Sequence, residues 1–376
     1  YAVKIMGLAH SPKIVTDGLS FMYDTGSGKS YKGEPTVNVN TLTLSDSGTD
    51  GSGQSSVGTR TLITDNHARI VDVSSNTRQH HLITGLTAST TYTISIMYKK
   101  LGGTPTFRFQ IQDYSGSAYL RTIKFTNTTE IGIEDKEGWQ QASWTFTLGS
   151  DANAVRIWYQ DGADYTTYTH SFELQNPQLE AKSHATPYVN GTRSVTEGLL
   201  DLTNNATINL SNVSFDSNAQ MVFDGTDDYT SLGNPTALRD LTSGTIETVY
   251  YRDASSGTYQ MVFTDAGSDL EITYLGNTLQ FYIGNSGLSY THAVTDQWFN
   301  VVGTWGSGFK KLYINGVEVA SGTNTGTDTG NRDRYVGGRG ANFPFNGEIP
   351  IARIYDQALT DEEVLQNYNA FKSRFL

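Results

Sequence analysis

Residues 91–98 read TYTISIMY, and this stretch decides the fold class. Its even-numbered residues are aromatic or aliphatic and most of the others are small and polar, which is the two-residue period of a strand with one buried face. The stretches 107–112, 139–148 and 154–160 show related alternation. Turn signals recur at intervals of roughly 8–12 residues, as in β-sandwiches. The pattern predicts an all-β chain of antiparallel sandwich or jelly-roll domains.

The composition of the chain restricts the functions it can have. The chain has 376 residues, a formal net charge of −12 and no cysteine. This length suffices for two sandwich domains with buried cores. A nucleic-acid-binding surface would need clustered Lys and Arg, which the sequence lacks, and no apolar run is long enough to span a membrane. Without cysteine, disulfides, thiolate metal sites and a cysteine nucleophile are excluded.

Two short segments that read as parts of one domain lie far apart in the chain. IVTDGL occupies residues 14–19, and RSVTEGL occupies residues 193–199. The first reads as the start of a domain and the second as its continuation, while the stretch between them has the strand pattern of a complete β-domain. One sandwich is therefore predicted to be inserted into a loop of another. The predicted segments are an N-terminal arm or linker (1–13), the first part of the outer sandwich (14–34), the insert (35–190) and the main part of the outer sandwich (191–376).

One helix is predicted after the last strand. Thr360 and Glu363 have the spacing of a capping box, in which each side chain binds the backbone N–H of the other residue. Asp361 and Glu362 lie at the positive end of the helix dipole. The apolar stripe expected to pack on the sandwich consists of Val364, Leu365, Tyr368, Phe371 and Phe375.

Four motifs of the main segment carry a resemblance to a known family. They are FDGTDDY at 223–229, WFNVVGTW at 298–305, KLYINGVEV at 311–319, and a closing strand with its helix at 347–363. In this order they resemble the concanavalin-A-like lectin/glucanase superfamily, laminin-G-like branch, over most of residues 193–376. The resemblance implies a lectin-like sandwich.

The remaining segments resemble parts of other proteins. DGL at 17–19 with KSY at 29–31 is similar to the start of such lectin-like domains in virion proteins of tailed bacteriophages. The insert resembles a carbohydrate-binding-module jelly roll at 138–146 and 172–180. The segment 178–189 is similar to a recurrent segment of phage tail and fibre proteins. These resemblances imply a virion protein with an inserted sugar-binding jelly roll.

No catalytic arrangement is visible in the sequence. Glucanases of the superfamily carry Glu-x-Asp-x-x-Glu on one strand, so that alternation directs the carboxylates into one cleft as nucleophile and acid. The nearest candidates are Glu247 and DLEIT at 269–273, and neither completes the spacing. The sequence also contains no Gly-x-Ser-x-Gly elbow. We expect the chain not to be an enzyme, and a glycosidase with another arrangement of carboxylates stays open as the alternative.

The insert contains candidate glycan-binding residues. Within 154–160, Val155, Ile157 and Tyr159 form the better core face, which would leave Trp158 exposed on the other. An exposed aromatic ring can cover the apolar face of a pyranose. The residues predicted to bind glycan are Arg156, Trp158, Tyr165 and Tyr168.

Calcium is the one cofactor that the sequence suggests. Asp224, Asp227 and Asp228 offer several hard oxygens on a tight loop, the donors that calcium prefers. The alternative is an Asx-type turn in which Gly225 supplies the unusual backbone conformation.

Together, the resemblances and the missing catalytic arrangement imply a non-enzymatic virion protein, namely a fibre, spike or decoration protein at the virion surface, that attaches to a host-surface glycan. Two alternatives stay open: a packing protein of the virion without sugar specificity, and a polysaccharide-degrading glycosidase. The implied partners are other virion proteins, the glycan and further copies of the chain, with a trimer as one candidate assembly. Nucleic acid and membrane insertion are not expected.

Overall fold

In the computed structural model the described residues are 13–39, 59–64, 66–71, 78–102, 107–127, 137–161, 171–216, 218–253, 258–267, 269–284, 286–328 and 330–375. The chain divides into two compact units, with the divisions at Pro35/Thr36 and at Arg193/Ser194. The first unit is thus made of two separate pieces of sequence. The second unit spans Thr36–Arg193, where the sequence predicted an insert over residues 35–190.

The elements follow one another in chain order. The first unit begins with strand β1 (Leu19–Asp24). The second unit contributes β2 (Thr36–Val37), β3 (Thr59–Thr64), β4 (His67–Val71), β5 (Arg78–Thr84), β6 (Thr91–Gly102), β7 (Phe107–Ser115), β8 (Ala118–Asn127), β9 (Trp139–Thr147), β10 (Ala154–Asp161), β11 (Ser171–Glu180) and β12 (Thr192–Arg193).

The first unit then resumes. Its remaining strands are β13 (Asn209–Ser211), β14 (Ser214–Phe215), β15 (Met221–Asp224), β16 (Tyr229–Gly233), β17 (Gly244–Arg252), β18 (Tyr259–Asp265), β19 (Leu270–Leu275), β20 (Thr278–Ile283), β21 (Ser286–Thr291), β22 (Trp298–Gly306), β23 (Phe309–Ile314), β24 (Val317–Gly322), β25 (Arg334–Val336) and β26 (Asn346–Tyr355). A short 3-10 helix covers Thr236–Leu238, and helix α1 covers Asp361–Phe375.

The first unit is a sandwich of two antiparallel sheets. One sheet has the strand order β14-β15-β26-β17-β22-β23-β24, with β1 also paired to β26, and the other has the order β13-β16-β25-β18-β19-β20-β21. The pairing of β1 with β26 confirms that the opening strand belongs to this sandwich. The strand begins at Leu19, after a turn in which Gly18 has φ +68°.

A core rich in aromatic side chains lies in the first unit. Trp305 is 1% exposed, and its ring centroid is 6.2 Å from that of Phe281. Gly303 lies against Phe281, because a Cβ at this glycine would be 2.5 Å from the ring. Large aromatic side chains supply much of the apolar area that a thin sandwich can bury. Trp305 is therefore a core residue of the first unit.

Helix α1 begins as predicted, and its buried face differs from the predicted apolar stripe at Leu365 and Asn367. The N–H of Thr360 donates to Glu363 Oε2 at 2.9 Å and the N–H of Glu363 donates to Thr360 Oγ1 at 3.3 Å, which confirms the capping box. Val364 and Phe371 are buried as expected. The prediction for Leu365 was wrong, since this side chain is 45% exposed. The helix instead buries Asn367, which bonds to buried polar groups of the sandwich.

The second unit is also a sandwich of antiparallel sheets. Its sheets have the strand orders β3-β4-β11-β6-β9 and β5-β10-β7-β8, and β2 pairs with β12 to bring the two ends of the unit side by side. Ile94, Ile96, Val155 and Ile157 are at most 1% exposed, so the alternation predicted for these strands is confirmed. The all-β fold class with two sandwiches and a C-terminal helix is therefore confirmed as well. Among the described residues, the one α-helix is too short and too polar to cross a bilayer.

Candidate functional site

The residues predicted to bind glycan in the second unit are only partly described. Arg156 on β10 is 7% exposed, and its guanidinium carbon lies 4.4 Å from the centroid of the Tyr114 ring. The backbone of Trp158 lies in β10 between His80 and Gln110 of the neighbouring strands, and its side chain lies outside the described part of the structure. Residues 165 and 168, the predicted Tyr165 and Tyr168, also lie outside the described residues. Glycan binding by these four residues stays a prediction.

The turn between β15 and β16 gathers Asp224, Asp227 and Asp228, and we call these three residues the acidic turn. One carboxylate oxygen from each lies within 4.8 Å of the others. The N–H of Asp224 donates to Asp228 Oδ2 at 2.8 Å, and the N–H of Thr226 donates to Asp224 Oδ1 at 2.8 Å. The Asx-type turn is therefore present, with Gly225 at φ +78°.

The three carboxylates of the acidic turn lie close enough to repel one another. Asp228 is buried, whereas Asp224 and Asp227 are exposed. Burial raises the pKa of the Asp228 carboxyl, and the neighbouring charges of Asp224 and Asp227 raise it further, against the lowering effect of the Asp224 N–H. Each carboxylate still has an oxygen available, and such a donor set suits a hard cation. Calcium at the acidic turn stays a prediction.

The carboxylates considered for catalysis are held by other side chains. Glu247 on β17 is fully buried: Arg353 Nη1 lies 3.1 Å from its Oε2, and Asn300 and Asn367 donate to its two oxygens. Asp269 forms an ion pair with Arg332 at 3.1 Å. Glu247 therefore has an interior, structural position and does not line an open cleft.

The seven-stranded sheet of the first unit turns a polar and aromatic face away from the core. On β19, Leu270 and Ile272 are fully buried in the core, so Glu271 between them points to the opposite face. Glu271 lies opposite Tyr282 on β20, and Tyr335 on β25 lies opposite Thr264 on β18. Partners opposite each other on neighbouring strands share a face. The aromatic residues of this surface, which we call the tyrosine face, are Tyr229, Tyr259, Tyr282, Tyr335 and Phe343.

A charged pair lies in the middle of the tyrosine face. The Arg339 guanidinium is ion-paired with Glu271, whose Oε1 also accepts a hydrogen bond of 2.8 Å from Thr264 Oγ1. The side chain of Arg339 is 22% exposed and that of Glu271 is 5% exposed. In strand order, Tyr335 lies on one side of the pair and Tyr282 on the other. The guanidinium is therefore the charged group of the pair that a ligand would meet.

The segment between β25 and β26 positions Arg339 and Phe343. It starts at Gly337, which has φ +80° and where a Cβ would lie 2.0 Å from the buried Phe223 ring. Only glycine fits there, because both the backbone conformation and the space exclude a side chain. Phe343 lies beside Tyr259, with ring centroids 5.9 Å apart, and its carbonyl accepts the N–H of Met261 at 3.0 Å. These contacts fix the segment against the sheet.

The tyrosines of this face have half-buried rings. The rings of Tyr229 and Tyr335 meet edge to face, with centroids 6.0 Å apart. Burial raises the pKa of the Tyr282 hydroxyl, and the charges of Tyr259 and Glu271 raise it further. Burial and the nearby Asp333 likewise raise the pKa of Tyr335. Both phenols therefore stay donors of hydrogen bonds at neutral pH.

Comparison with known proteins identifies the fold of the first unit. Residues 224–365 match the family model described as the concanavalin A-like lectin/glucanases superfamily. The first unit accordingly has a concanavalin A-like jelly-roll fold, and this part of the expected resemblance is confirmed. No curated protein matches the chain.

Several solved structures are similar to parts of the chain at low identity. One is domain 4 of AbnA, an extracellular arabinanase from Geobacillus stearothermophilus, in complex with arabinotriose (20% identity, 46% of this chain and 93% of that chain, TM-score 0.38). A second is the binding domain of botulinum neurotoxin DC in complex with rat synaptotagmin II (15% identity, 47% and 50%, TM-score 0.40). A third is a Trypanosoma rangeli sialidase (14% identity, 47% and 31%, TM-score 0.40). The chain thus spans half of the neurotoxin domain and less of the sialidase.

Proposed function

We propose that this chain is a non-enzymatic glycan-binding protein, and that the tyrosine face of its first unit attaches it to a host-surface glycan. We further propose that it serves as a fibre, spike or decoration protein of a tailed-phage virion. The tyrosine face is the observation that carries the first part. The second part rests on the resemblance of residues 17–31 and 178–189 to phage virion proteins.

The tyrosine face combines the groups that bind a sugar ring. A half-exposed aromatic ring can cover the apolar face of a pyranose, and a few polar groups then fix its orientation. Tyr335 and Tyr282 supply rings on either side of Arg339, and Tyr282 also supplies a phenol donor. Guanidinium donors bind sugar hydroxyls or carboxylates in a fixed geometry. Since the pair with Glu271 holds Arg339 in place, little side-chain entropy is left to lose on binding.

The contacts of the carboxylates support binding over cleavage. Glycosidases with two carboxyl groups need one as acid and the other as nucleophile or base, roughly 5–10 Å apart. Glu271 already accepts hydrogen bonds from Arg339 and Thr264, so its charge is compensated. Glu247 is enclosed by Arg353, as well as two asparagines, in the interior. Both carboxylates are therefore engaged by cationic and polar side chains of the protein itself.

A glycan array with three single variants tests the proposal. Tyr282→Ala and Tyr335→Ala should each weaken binding of the best glycan by about tenfold or more, as truncation of a stacking aromatic at a hot spot does. Tyr290→Ala is the matched control: Tyr290 lies on the same sheet, is 36% exposed, and faces the other way because it pairs with the buried Leu279. Loss of affinity in the control alone, or no glycan binding by the wild type, would contradict the proposal.

Two further measurements separate the alternatives. If the protein released reducing ends from a polysaccharide and Glu271→Gln abolished this release, the protein would be a glycosidase and not a binding protein. Absence of any glycan binding together with stable association with other virion proteins would favour the pure packing protein. Mass spectrometry of purified phage particles should detect the chain. Its absence from these particles would contradict the proposed role in the virion.

A further inference from the structure

The second unit contains a cavity that none of the predicted glycan-binding residues lines. Its volume is about 360 Å³. This volume lies at the lower end of the roughly 300–1,000 Å³ typical of small-molecule sites. The lining residues are Ser95, Ile96, Met97, Gln141, Asn176, Ala185, Thr186, Pro187 and Tyr188. The cavity therefore has room for a small ligand, and its lining decides which kind.

An irregularity in β11 lies at the cavity. The pairing of β11 with β6 shifts between Gln175 and Gln178, so that Asn176 and its neighbour Pro177 drop out of the ladder. Asn176 has φ +55°, a left-handed conformation that Asn tolerates better than most residues. On the adjoining strands, Met97 lies opposite Gln141. The bulge thus interrupts the ladder where β6, β9 and β11 lie side by side.

The segment that carries Tyr188 is held firmly in place. Thr186 donates its N–H and its hydroxyl to Glu180 at 2.8 and 2.7 Å. Gln178 Oε1 accepts the N–H of Val189 at 2.8 Å, and Arg193 donates to the carbonyl of Pro187 at 2.7 Å. Glu180 and Gln178 are fully buried, which makes these bonds costly to break. The cavity wall is therefore preorganised, so a ligand would not have to order it on binding.

The lining of the cavity is uncharged and offers free polar groups. Within the described residues, the side chains of Gln141, Asn176 and Tyr188 form no hydrogen bond to the protein. Two amides supply donors and acceptors, the phenol supplies a donor, and the half-buried Tyr188 ring supplies an apolar surface. Amide groups beside an aromatic ring suit a ligand with many hydroxyl groups and no net charge. A charged ligand would meet no counter-ion among the lining residues.

We propose that this cavity is a second saccharide site, which binds one neutral pyranose residue. The Tyr188 ring covers the apolar face of the sugar, and Gln141 and Asn176 bind its hydroxyls. This inference deepens the proposed glycan attachment, but it is independent of the tyrosine face because the cavity belongs to the other unit. The proposal thus gives each of the two units a saccharide site of its own.

Saturation-transfer NMR on the full chain tests the cavity with four free sugars as probes: glucose, galactose, mannose and N-acetylglucosamine. The background is the Tyr282→Ala/Tyr335→Ala double variant, so that the tyrosine face cannot contribute. We expect at least one sugar to bind, with Kd raised on the order of tenfold by Gln141→Ala and by Asn176→Gly. Glycine at position 176 removes the amide and keeps the left-handed backbone.

The control variant is Tyr119→Ala, because Tyr119 is 55% exposed and lies on the other sheet of the second unit. It should leave the Kd unchanged, and unchanged thermal unfolding of all variants excludes a folding defect. The proposal is overturned if none of the four sugars binds, or if binding survives both Gln141→Ala and Asn176→Gly. Preferential binding of glucuronate, added as a charged probe, would also overturn it. If the single tyrosine-face variants bound glycan as well as the wild type does, the proposed role of the tyrosine face would be wrong. A saturation-transfer signal from the free sugars would still support the cavity site.

Discussion

Replacing Asn367 with leucine should destabilise the first unit by about 3–5 kcal/mol. Asn367 is fully buried on helix α1, where no water can replace the bonds it makes. Its amide donates to Glu247 Oε2 at 2.8 Å and to the Tyr355 hydroxyl at 2.9 Å, and its carbonyl oxygen accepts the N–H of Val15 at 2.8 Å. Leucine has a similar size but offers none of these groups, so three buried polar partners lose a bond at once.

The magnitude follows from the individual bonds. A hydrogen bond to a charged carboxylate contributes about 1.5–3 kcal/mol, and a buried N–H left unsatisfied costs about 1–3 kcal/mol. The bond to the phenol adds roughly 0.5–1.5 kcal/mol, and the apolar surface that leucine buries offsets part of the sum. For a unit of 150–250 residues, each kcal/mol lowers Tm by about 2–4 °C. Differential scanning calorimetry should therefore show the first-unit transition roughly 6–20 °C lower.

Gln366→Leu is the matched control, because Gln366 is exposed on the same helix and bonds only to the carbonyl of Lys13 at 2.6 Å. It should change stability by no more than about 0.5 kcal/mol. Equal shifts in the two variants would mean that helix propensity, and not the buried network, decides the result. If the Tm of Asn367→Leu lay within roughly 1 °C of the wild-type Tm, the variant would have lost well under 1 kcal/mol of stability. That result would refute the reasoning.

Three further outcomes are expected. Calcium should raise the Tm of the first unit in a concentration-dependent way, and Asp227→Asn should abolish the shift, whereas an equal response in wild type and variant would exclude the acidic turn as the site. The folded-state pKa of Asp228 is raised, so ionisation of this carboxyl lowers the stability of the wild type as pH rises. In calcium-free buffer, Asp228→Asn should therefore become more stable than the wild type as pH rises, and this difference should disappear below about pH 3.8. Thr186→Val should destabilise the second unit by about 1.5–3 kcal/mol in urea unfolding, since Glu180 loses a donor; an unchanged midpoint would show that the buried network is not needed.

The sequence predicted the fold where the signal is local. The alternation in residues 91–98 and the capping box of Thr360 and Glu363 depend on neighbours within a few positions, and the structure confirms both. The helix face was harder to predict. Its periodicity favours Leu365 over Asn367, because a pattern of apolar residues cannot show that the sandwich offers Asn367 polar partners. Burial of a polar side chain depends on what lies opposite, and this is set by tertiary structure.

The sites follow the same division. The acidic turn was visible because its three carboxylates lie within five residues. The tyrosine face was not visible in the sequence. Tyr335 lies opposite Thr264 only because their strands are neighbours. Arg339 reaches Glu271 only because of the path of the segment between β25 and β26. Alternation alone could have placed Glu271 and Tyr282 on outward faces. It could not show that the two strands are neighbours.

The pairing of β2 with β12, with Thr36 opposite Arg193, has a consequence for how such a protein changes over evolutionary time. A segment whose entry and exit points lie side by side can be gained or lost in one recombination event, while the strands of the recipient keep their register. Loop insertions are tolerated best where the closing distance is short. We therefore expect relatives of this chain to exchange whole inserts when the surface they recognise changes, and to keep the outer sandwich as a constant frame.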